Sequence, residues 1–401
     1  MKDKKQIVFY CASHPFEMIY KIAKIFKEKN YETVLITVSE KDRFDFNFYS
    51  KAFDKIICSN FQFFKPNLKS LFYFIKKIPS LIKFIISMKI LKPYVVIGVS
   101  GNNWQLKLVH KYIFKKYPFI YFPYDIISHL YNSKEKALKT TKKFEIEAER
   151  YCFENANGIT HKGAPDELKY LDNRIHKNLK IVPFQLNFLP YCSKEFTVPI
   201  NKDKLSKKDN FFHMVYIGGF PSDSRLTNLF KIILNQGIHI HAYVTFKHLS
   251  EKNEGEYISR VFDEIMNNKF FHIHKPLGPK EIVPEISKYD FGFWASNLVD
   301  GTTIEPLFAT GNKLASYLEA GIPFIYNKQL VFVDKLMKHY NLSMSFNDKN
   351  LKNLKKRLQK ISWEKIQKNI VIARNELSME KNFVRLENFI NKVVDFNKEN
   401  S

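Results

Sequence analysis

Two short motifs in the second half of the chain contain the residue types that bind phosphate. Gly218 and Gly219 follow the apolar run 212–217, and Lys313 follows Gly311 at the start of a predicted helix. Glycines after a strand let backbone N–H groups approach an anion, and a helix N-terminus adds its dipole to the charge of a lysine. An ordinary tight turn is the alternative for the glycine pair. We expect a diphosphate to bind here.

Candidate acid–base residues follow two predicted strands, 6–12 and 118–125. They are Ser13, His14, Glu17, Asp125, Ser128 and His129. A carboxylate or an imidazole beside an acceptor hydroxyl can accept its proton or hold it in place. Capping of a following helix is an equally simple interpretation of these polar residues. We take Asp125, His129 and His14 as the catalytic candidates.

Two His-x-His pairs, His239/His241 and His272/His274, lie in predicted strands. Alternate residues of a strand share a face, so two adjacent strands could bring four imidazoles together as a zinc site. Hydrogen-bonded or cleft-lining histidines are commoner in buried strands of this kind, so we predict no metal site. His274, near a strand end, could contact a nucleotide.

The charge of the chain favours an anionic partner. The 401 residues have a formal net charge of +24, which suits nucleic acid, anionic lipid or a phosphorylated small molecule. The four cysteines have no Cys-x-x-Cys spacing, which favours reduced thiols. The apolar run near the N-terminus is too short for a signal sequence, and no run is long enough to span a membrane. We therefore expect a cytoplasmic protein.

A basic stretch between Lys55 and Tyr124 contains twelve lysines and no acidic residue. Within it, Lys69, Lys76 and Lys83 recur every seven residues, and Lys77 lies on the same side. A basic, Phe-rich amphipathic segment is typical of a membrane-surface element. The alternative is a helix packed on the sheet with a solvated lysine face. We predict contact with an anionic membrane surface through these four lysines, and no nucleic-acid partner, since no such motif is present.

The predicted elements alternate between strand and helix in two successive blocks. In the first block the strands are 6–12, 31–39, 54–60, 93–101, 118–125 and 158–163, and the helices are 14–30, 68–91, 103–117 and 143–156. In the second block the strands are 212–220, 238–246, 270–278, 291–296 and 323–327, and the helices are 224–237, 251–267, 280–290 and 312–320. This alternation predicts two α/β domains with parallel, doubly wound sheets and a helical tail. We set the domains at 1–195 and 211–380, with a linker at 196–210 and a C-terminal helix at 381–401. Ligands of such sheets bind beyond the carboxyl ends of the strands.

Five segments, in this order, resemble a known family of enzymes: "KPYVVIGVSG", "FENANGITHKG", "VYIGGF", "YDFGFWAS" and "NKLASYLEAGIPFI". They are similar to the GT-B glycosyltransferases of the family 4 type. The resemblance implies two Rossmann-like domains facing a cleft, and a nucleotide-diphosphate-sugar donor without a metal or cofactor. It also implies that Asn312, Lys313 and Arg225 bind the donor phosphates together with the glycine pair.

One departure from the family pattern concerns the donor sugar. The family's Glu-x7-Glu pair would fall at Phe308 and Ser316, neither of which is acidic. Glu305 and Glu319 are the nearby carboxylates that could replace it. We therefore assign Glu305, Ser316, Glu319 and His274 as the candidate contacts of the donor sugar and nucleotide.

The sequence thus predicts a hexosyltransferase, cytoplasmic and peripherally bound to the inner face of the cell membrane. It would transfer a sugar from a nucleotide-diphosphate sugar to a glycan or lipid-linked acceptor in surface-polysaccharide synthesis. One alternative is a GT-B-fold nucleotide-sugar epimerase. Another is a non-catalytic, basic protein of the same fold that binds membranes or nucleic acid.

Overall fold

A computed structural model describes most of the chain. The described residues are 4–13, 15–38, 45–58, 82, 84–130, 135, 143–171, 176, 178–182, 184–219, 224–245, 263, 265–295 and 305–400. They form two compact units. The first comprises Met1–Leu189, Thr302–Glu305 and Asn382–Ser401, and the second comprises Pro190–Gly301 and Pro306–Lys381.

The first unit is built on a seven-stranded parallel sheet with the strand order β3-β2-β1-β4-β5-β6-β7. The strands are β1 Gln6–Cys11, β2 Glu32–Thr37, β3 Lys55–Cys58, β4 Val95–Val99, β5 Phe119–Phe122, β6 Gly158–His161 and β7 Gln185–Asn187. The order reverses direction between β1 and β4, which is the topology of a doubly wound sheet. Every residue of β4 and β5 is buried, as expected for strands covered by helices on both faces.

Helices cover this sheet because their apolar positions recur at helical spacing. They are Glu17–Glu28, Phe46–Tyr49, a helix over 84–89, Asn103–Val109 with its π-helical continuation His110–Phe114, the 3₁₀ turns Ile127–Leu130 and Glu167–Tyr170, and Lys143–Asn155. The last helix of the chain, Met379–Glu399, also packs on this unit from Asn382 onward. The ring of Phe383 lies 4.6 Å from that of Phe26, and the Tyr94 hydroxyl donates to Asn391 over 2.9 Å.

The second unit has a six-stranded parallel sheet with the order β10-β9-β8-β11-β12-β13. The strands are β8 His213–Gly219, β9 His239–Thr245, β10 Phe271–His274, β11 Phe291–Trp294, β12 Phe324–Asn327 and β13 Ser345–Phe346. The helices are Ser206–Asp209, Ser224–Leu234, Pro279–Ile286, Glu305–Phe308, Asn312–Glu319, Val331–His339, Asp348–Leu351, Leu354–Leu358 and Trp363–Glu376. One continuous apolar core lies beneath this sheet, with Phe230 and Phe293 near its centre.

The predicted fold class is confirmed: two doubly wound parallel sheets occur in tandem, followed by helices. The division between the units falls after Leu189 rather than within 196–210. The residues that follow Leu189 are bound to the helix Asn312–Glu319. The Ser193 N–H donates to Glu319 Oε1 over 2.6 Å, and the Val198 N–H donates to the Glu319 carbonyl over 3.0 Å. No helix in the described part of the chain is both long and apolar enough to cross a membrane.

Candidate donor-binding site

The helix Asn312–Glu319, which we call the Lys313 helix, begins without a side-chain cap. Its N-cap is Gly311, in an extended conformation with φ −139° and ψ 165°. A glycine offers no side-chain oxygen to the N–H groups of the first turn, so these groups are left for water or an external anion. No acidic residue lies in that first turn. The helix end therefore combines an uncapped positive dipole with a lysine.

The structure brings Lys313 to the glycine pair at the end of β8. A Cβ atom built on Gly218 would lie 3.3 Å from Lys313 Cε and 3.8 Å from Nζ. Gly218 has a φ of +114°, which side-chain-bearing residues rarely adopt, and no described residue lies within 4 Å of a Cβ built on Gly219. The two predicted phosphate-binding elements thus meet at one point at the carboxyl end of the sheet.

Aromatic side chains fix this meeting point. The Lys313 ammonium lies over the Tyr216 ring, 4.3 Å from its centroid, and the Tyr216 hydroxyl donates to the Gly219 carbonyl over 2.7 Å. The buried Tyr317 hydroxyl donates to the carbonyl of Phe293 over 2.9 Å, which ties the Lys313 helix to the sheet. A Cβ atom on Gly292 would lie only 2.6 Å from the Tyr317 ring, so the helix approaches β11 at a position where only glycine fits.

Lys313 is a partly buried cation that no carboxylate of the described residues pairs with. Burial lowers the pKa of its ammonium from 10.5 to about 8, and among the described residues no carboxylate opposes this effect. Burying a charge is unfavourable unless an opposite charge or hydrogen bonds compensate. The dipole, the ammonium and the glycine backbone meet at one place, as the predicted diphosphate site requires.

The candidate sugar contacts lie elsewhere on the Lys313 helix. The Ser316 hydroxyl is buried and donates to the Asn312 carbonyl of the same helix over 3.1 Å. Glu319 lies at the far end of the helix, fully buried, where its carboxylate accepts from Ser193 and its carbonyl accepts from Arg374 over 2.8 Å. These hydrogen bonds do not support a donor-sugar contact for Ser316 or Glu319, since both groups serve internal packing.

The other three predicted donor contacts are His274, Arg225 and Glu305, and the structure describes the side chain of the first alone. His274 stacks on Tyr243 with ring centroids 4.5 Å apart and faces His241, which does not support a nucleotide contact. Arg225 and Glu305 lie in the helices Ser224–Leu234 and Glu305–Phe308, but the structure does not describe their side chains. Their roles stay predictions.

A separate cavity of about 430 Å³ lies in the same unit. It adjoins the carboxyl ends of β12 and β13, and its lining residues are Leu229, Leu307, Asn327, Lys328, Gln329, Val331, Asn347 and Asp348. Amide, lysine and apolar groups of this kind suit a polar organic ligand with a flat apolar part.

In the first unit, Asp125 follows β5 and stays exposed. Its carboxylate pairs with the Lys162 ammonium at 2.9 Å, and the same ammonium lies 3.6 Å from the centroid of the Tyr124 ring. Tyr124 stacks on Phe16, with centroids 3.5 Å apart. Asp125 is thus held by residues following β1 and β6, at the edge where a parallel sheet binds ligands.

His129 is buried rather than available to a ligand. Its Nδ1 lies 3.4 Å from Glu167 Oε1, and His161 Nδ1 lies 2.8 Å from the other oxygen of that carboxylate. Burial raises the pKa of Glu167, but hydrogen bonds from both histidines outweigh it and lower the pKa to about 2. His129 therefore lies in the interior beside Glu167, close to the loop that carries Asp125, and its catalytic role stays a prediction.

The remaining acceptor-side candidates contact other residues of the first unit, are buried, or lie outside the described residues. Glu17 pairs with Lys21 at 2.6 Å on its own helix, and Ser13 contacts Gly101 so closely that a Cβ atom there would lie 2.1 Å from its Oγ. Ser128 is buried. His14 lies outside the described residues, as do the predicted membrane-facing lysines Lys69, Lys76, Lys77 and Lys83.

Solved structures with the same architecture have very different sequences. The Anabaena protein HepE, in complex with UDP-glucose, matches with a TM-score of 0.63 at 11% identity over 97% of this chain and 99% of HepE. A glycosyltransferase from Rickettsia africae matches with a TM-score of 0.62 at 11% identity, over 98% of this chain and 99% of the other. An α-glucosyltransferase in complex with UDP-glucose and DNA containing an abasic site matches with a TM-score of 0.60 at 12% identity, over 97% of this chain and all of the other.

The chain has the GT-B fold. No protein-family model and no curated protein matches the sequence. The GT-B assignment therefore rests on the arrangement of the strands and helices, and the expected membership of family 4 is not confirmed by sequence. Within this GT-B chain, the Lys313 site lies at the carboxyl edge of the second sheet.

Tyr216 is a site residue that the sequence analysis did not single out. It lies two positions before Gly218 on β8, so both residues face the same side of the strand. The segment "VYIGGF" already indicated this role for Tyr216. A residue two positions before a glycine that is predicted to bind phosphate is expected to border the same ligand. Without the position of Lys313, however, Tyr216 is indistinguishable from a core tyrosine.

Proposed function

We propose that this protein is a glycosyltransferase that takes its sugar from a nucleotide-diphosphate donor. The observation that carries the proposal is the Lys313 ammonium, which lies over the glycine turn at an uncapped helix end and has no carboxylate partner among the described residues. The negative charge of a diphosphate would compensate the charge of this ammonium. The same cation and dipole would stabilise the diphosphate as it leaves, which is the task that a metal ion performs in other enzymes.

The solved structures of the same fold suggest the first donor to test. HepE and the α-glucosyltransferase were both solved with UDP-glucose. At 11–12% identity these complexes do not define the donor of this chain. They make UDP-glucose the reasonable first probe, with a hexose as the transferred sugar.

On the acceptor side, Asp125 is the exposed group that fits acid–base chemistry. Its carboxylate could position or deprotonate an acceptor hydroxyl, while Lys162 limits its freedom. His129 and Glu167 would act through the loop rather than by touching the substrate. His14 keeps its predicted catalytic role because it lies outside the described residues.

An exposed apolar stripe supports a membrane-bound acceptor. Ile82, Ile86 and Ile90 recur every four residues and are 51%, 52% and 68% exposed, while Phe84 and Met88 face the core. Lys89, Lys92, Lys111, Lys115 and Lys116 belong to the same acid-free stretch. An apolar stripe among lysines suits the surface of an anionic membrane. A peripheral enzyme acting there on a lipid-linked glycan in surface-polysaccharide synthesis is the proposed setting.

A donor screen tests the enzymatic proposal. The thermal midpoint of the full chain would be measured with UDP-, GDP- and CDP-sugars, and we expect one nucleotide class to raise it. Transfer to a lipid-linked acceptor would then be assayed with the stabilising donor. No stabilisation by any nucleotide sugar, with the protein folded, would refute the proposal. Interconversion of the donor without an acceptor would indicate an epimerase instead.

Liposome flotation tests the membrane proposal. The wild type should float with vesicles containing anionic lipid and detach at high salt, because surface charges are screened. The double variant Ile86→Gln/Ile90→Gln should lose flotation while keeping its thermal midpoint, since both side chains are exposed. Equal flotation of the wild type with neutral and anionic vesicles would contradict an electrostatic role for the lysines.

A further inference from the structure

Five histidines of the second unit form one cluster, which we call the histidine stack. Its members are His213 on β8, His239 and His241 on β9, and His272 and His274 on β10. The strand register explains the cluster, because His213 pairs with His239 and His241 pairs with His272 across adjacent strands. Alternate residues of these strands share one face, so all five imidazoles lie on the same side of the sheet.

The rings of the histidine stack lie in nearly parallel layers. His213 and His239 have centroids 4.4 Å apart and an interplanar angle of 4°. His241 and His272 have the same separation and an angle of 19°. Facing nitrogens join the two layers: His213 Nδ1 lies 2.9 Å from His241 Nε2, and His239 Nδ1 lies 2.8 Å from His272 Nε2. Several ring nitrogens are thereby concentrated in one small volume.

Asp209 fixes the orientation of His213 and lies near a second ring, that of His239. Its Oδ2 lies 3.0 Å from His213 Nε2 and 3.6 Å from His239 Nε2. A carboxylate only accepts hydrogen bonds, so the Nε2 atom of His213 carries the proton and its Nδ1 presents a lone pair. Histidines that bind metals typically donate their second N–H to a carboxylate in this way.

Imidazole nitrogens with an available lone pair are ordinary zinc ligands. Nitrogens of His213, His239 and His241, one from each ring, lie within 4.8 Å of one another.

We propose that the histidine stack binds one zinc(II) ion through His213, His239 and His241, with Asp209 accepting a hydrogen bond from one of these ligands, His213. Zinc suits neutral imidazole ligands and has no strong geometric preference. Zn–N bonds of about 2.0–2.1 Å require the ligand nitrogens to separate beyond 2.9 Å, so the hydrogen bond between His213 and His241 opens on binding. This proposal departs from the sequence-based prediction of no metal because His213 adds a ligand that the two His-x-His pairs lack.

The proposed zinc site is separate from the donor site. His213 is the first residue of β8, whereas Gly218 and Gly219 are its last two. At about 3.3 Å per residue, six residues place the two ends roughly 20 Å apart. Zinc would therefore act structurally, by joining β8 and β9 to the segment that carries Asp209.

Zinc titration of the full chain provides the test. Untagged protein would be treated with a chelator, dialysed and titrated with ZnCl₂ in a calorimeter, and bound zinc would be counted by mass spectrometry. We expect one zinc ion per chain and a raised thermal midpoint, since a ligand that binds only the folded state stabilises it. Cobalt(II) should give the intense visible absorption of a site with fewer than six ligands.

Variants distinguish the histidine stack from other sites. His213→Gln and His241→Gln should abolish the tight binding, and Asp209→Asn should weaken it by about 10- to 100-fold. His110→Gln is the matched control, because His110 is also buried but lies in the first unit. If His241→Gln misfolds by circular dichroism, Asp209→Asn decides, since the Asp209 side chain is more exposed. No zinc uptake, or equal uptake by wild type, His213→Gln and Asp209→Asn, would overturn the proposal.

Discussion

Replacing Lys313 by methionine should have two opposite effects. Methionine keeps most of the length of the side chain and removes the charge. The variant should bind the nucleotide sugar more weakly, because the cation for the diphosphate is lost. It should also be more stable without ligand, because a partly buried ammonium that no described carboxylate pairs with no longer has to be desolvated. A lysine kept only for packing would give neither result.

The stability effect can be estimated from the pKa of Lys313. A lowering from 10.5 to about 8 corresponds to about 3 kcal/mol, and partial exposure of the side chain reduces this to about 1–2 kcal/mol. Because the folded-state pKa is the lower one, the full penalty is present below about pH 8, where the group is protonated in both states. The penalty disappears as the pH rises from about 8 to 10.5. The stability gained by the methionine variant should shrink over the same interval.

The binding effect follows from the charge-assisted contacts. Hydrogen bonds to charged groups contribute about 1.5–3 kcal/mol, so Lys313→Met should weaken donor binding by roughly 10- to 150-fold. In the wild type, affinity should fall about tenfold between about pH 7 and about pH 9, as the free lysine loses its proton. Lys313→Arg should remove this fall, because arginine stays charged.

Calorimetric titration with the stabilising nucleotide sugar, together with urea unfolding, measures both effects. Lys335→Met is the control, since Lys335 is exposed on the helix Val331–His339 of the same unit. It should change neither quantity. A methionine variant at 313 that is less stable than the wild type and binds the donor equally well would refute the reasoning.

Three further predictions concern the packing around the two sites. Gly292→Ala should destabilise the protein by about 1–3 kcal/mol in urea unfolding, because the new methyl group meets the Tyr317 ring, whereas Gly219→Ala has open space and should not. Glu167→Gln should lower stability by about 3 kcal/mol at neutral pH; because the folded pKa of Glu167 is the lower one, this difference should vanish as the pH falls from about 4.5 to about 2, as followed by fluorescence. Glu319→Gln should lower the thermal midpoint but leave donor affinity unchanged, since its carboxylate accepts from Ser193 and not from a ligand; a selective loss of affinity would restore it as a donor contact.

The sequence contained enough information to predict most of the second sheet and to place the two candidate phosphate-binding motifs close together. The carboxyl ends of parallel strands lie at one edge of a sheet. Once the strand that ends at Gly218 and the helix that carries Lys313 were recognised, both residues were therefore expected at that edge. The strands β7 and β13 were missed because they contain only three and two residues, which are too few to show an alternation of apolar and polar positions. The predicted helical tail is confirmed, although between 348 and 399 it is divided into four helices.

Long-range partners limited the prediction of individual roles. From its position after β5, His129 was expected to be accessible to a ligand. In the structure it is buried beside Glu167, a residue distant from it in the sequence. His213 joined the other histidines only through the register of β8 against β9, and an alternation of apolar residues does not specify register between strands. The internal partners of Ser316 and Glu319 likewise became visible only in the folded chain, and their roles as sugar contacts stay predictions.

The packing of the last helix on the first unit affects how the protein folds during synthesis. Phe383, Phe389 and Val393 cover surfaces around Phe26 and Gly158, residues that leave the ribosome far earlier. The first unit therefore stays incomplete until the helix Met379–Glu399 has been synthesised, while the second unit, up to Lys381, can already be complete. Domains usually fold in order from the N-terminus, and here the first unit is completed after the second.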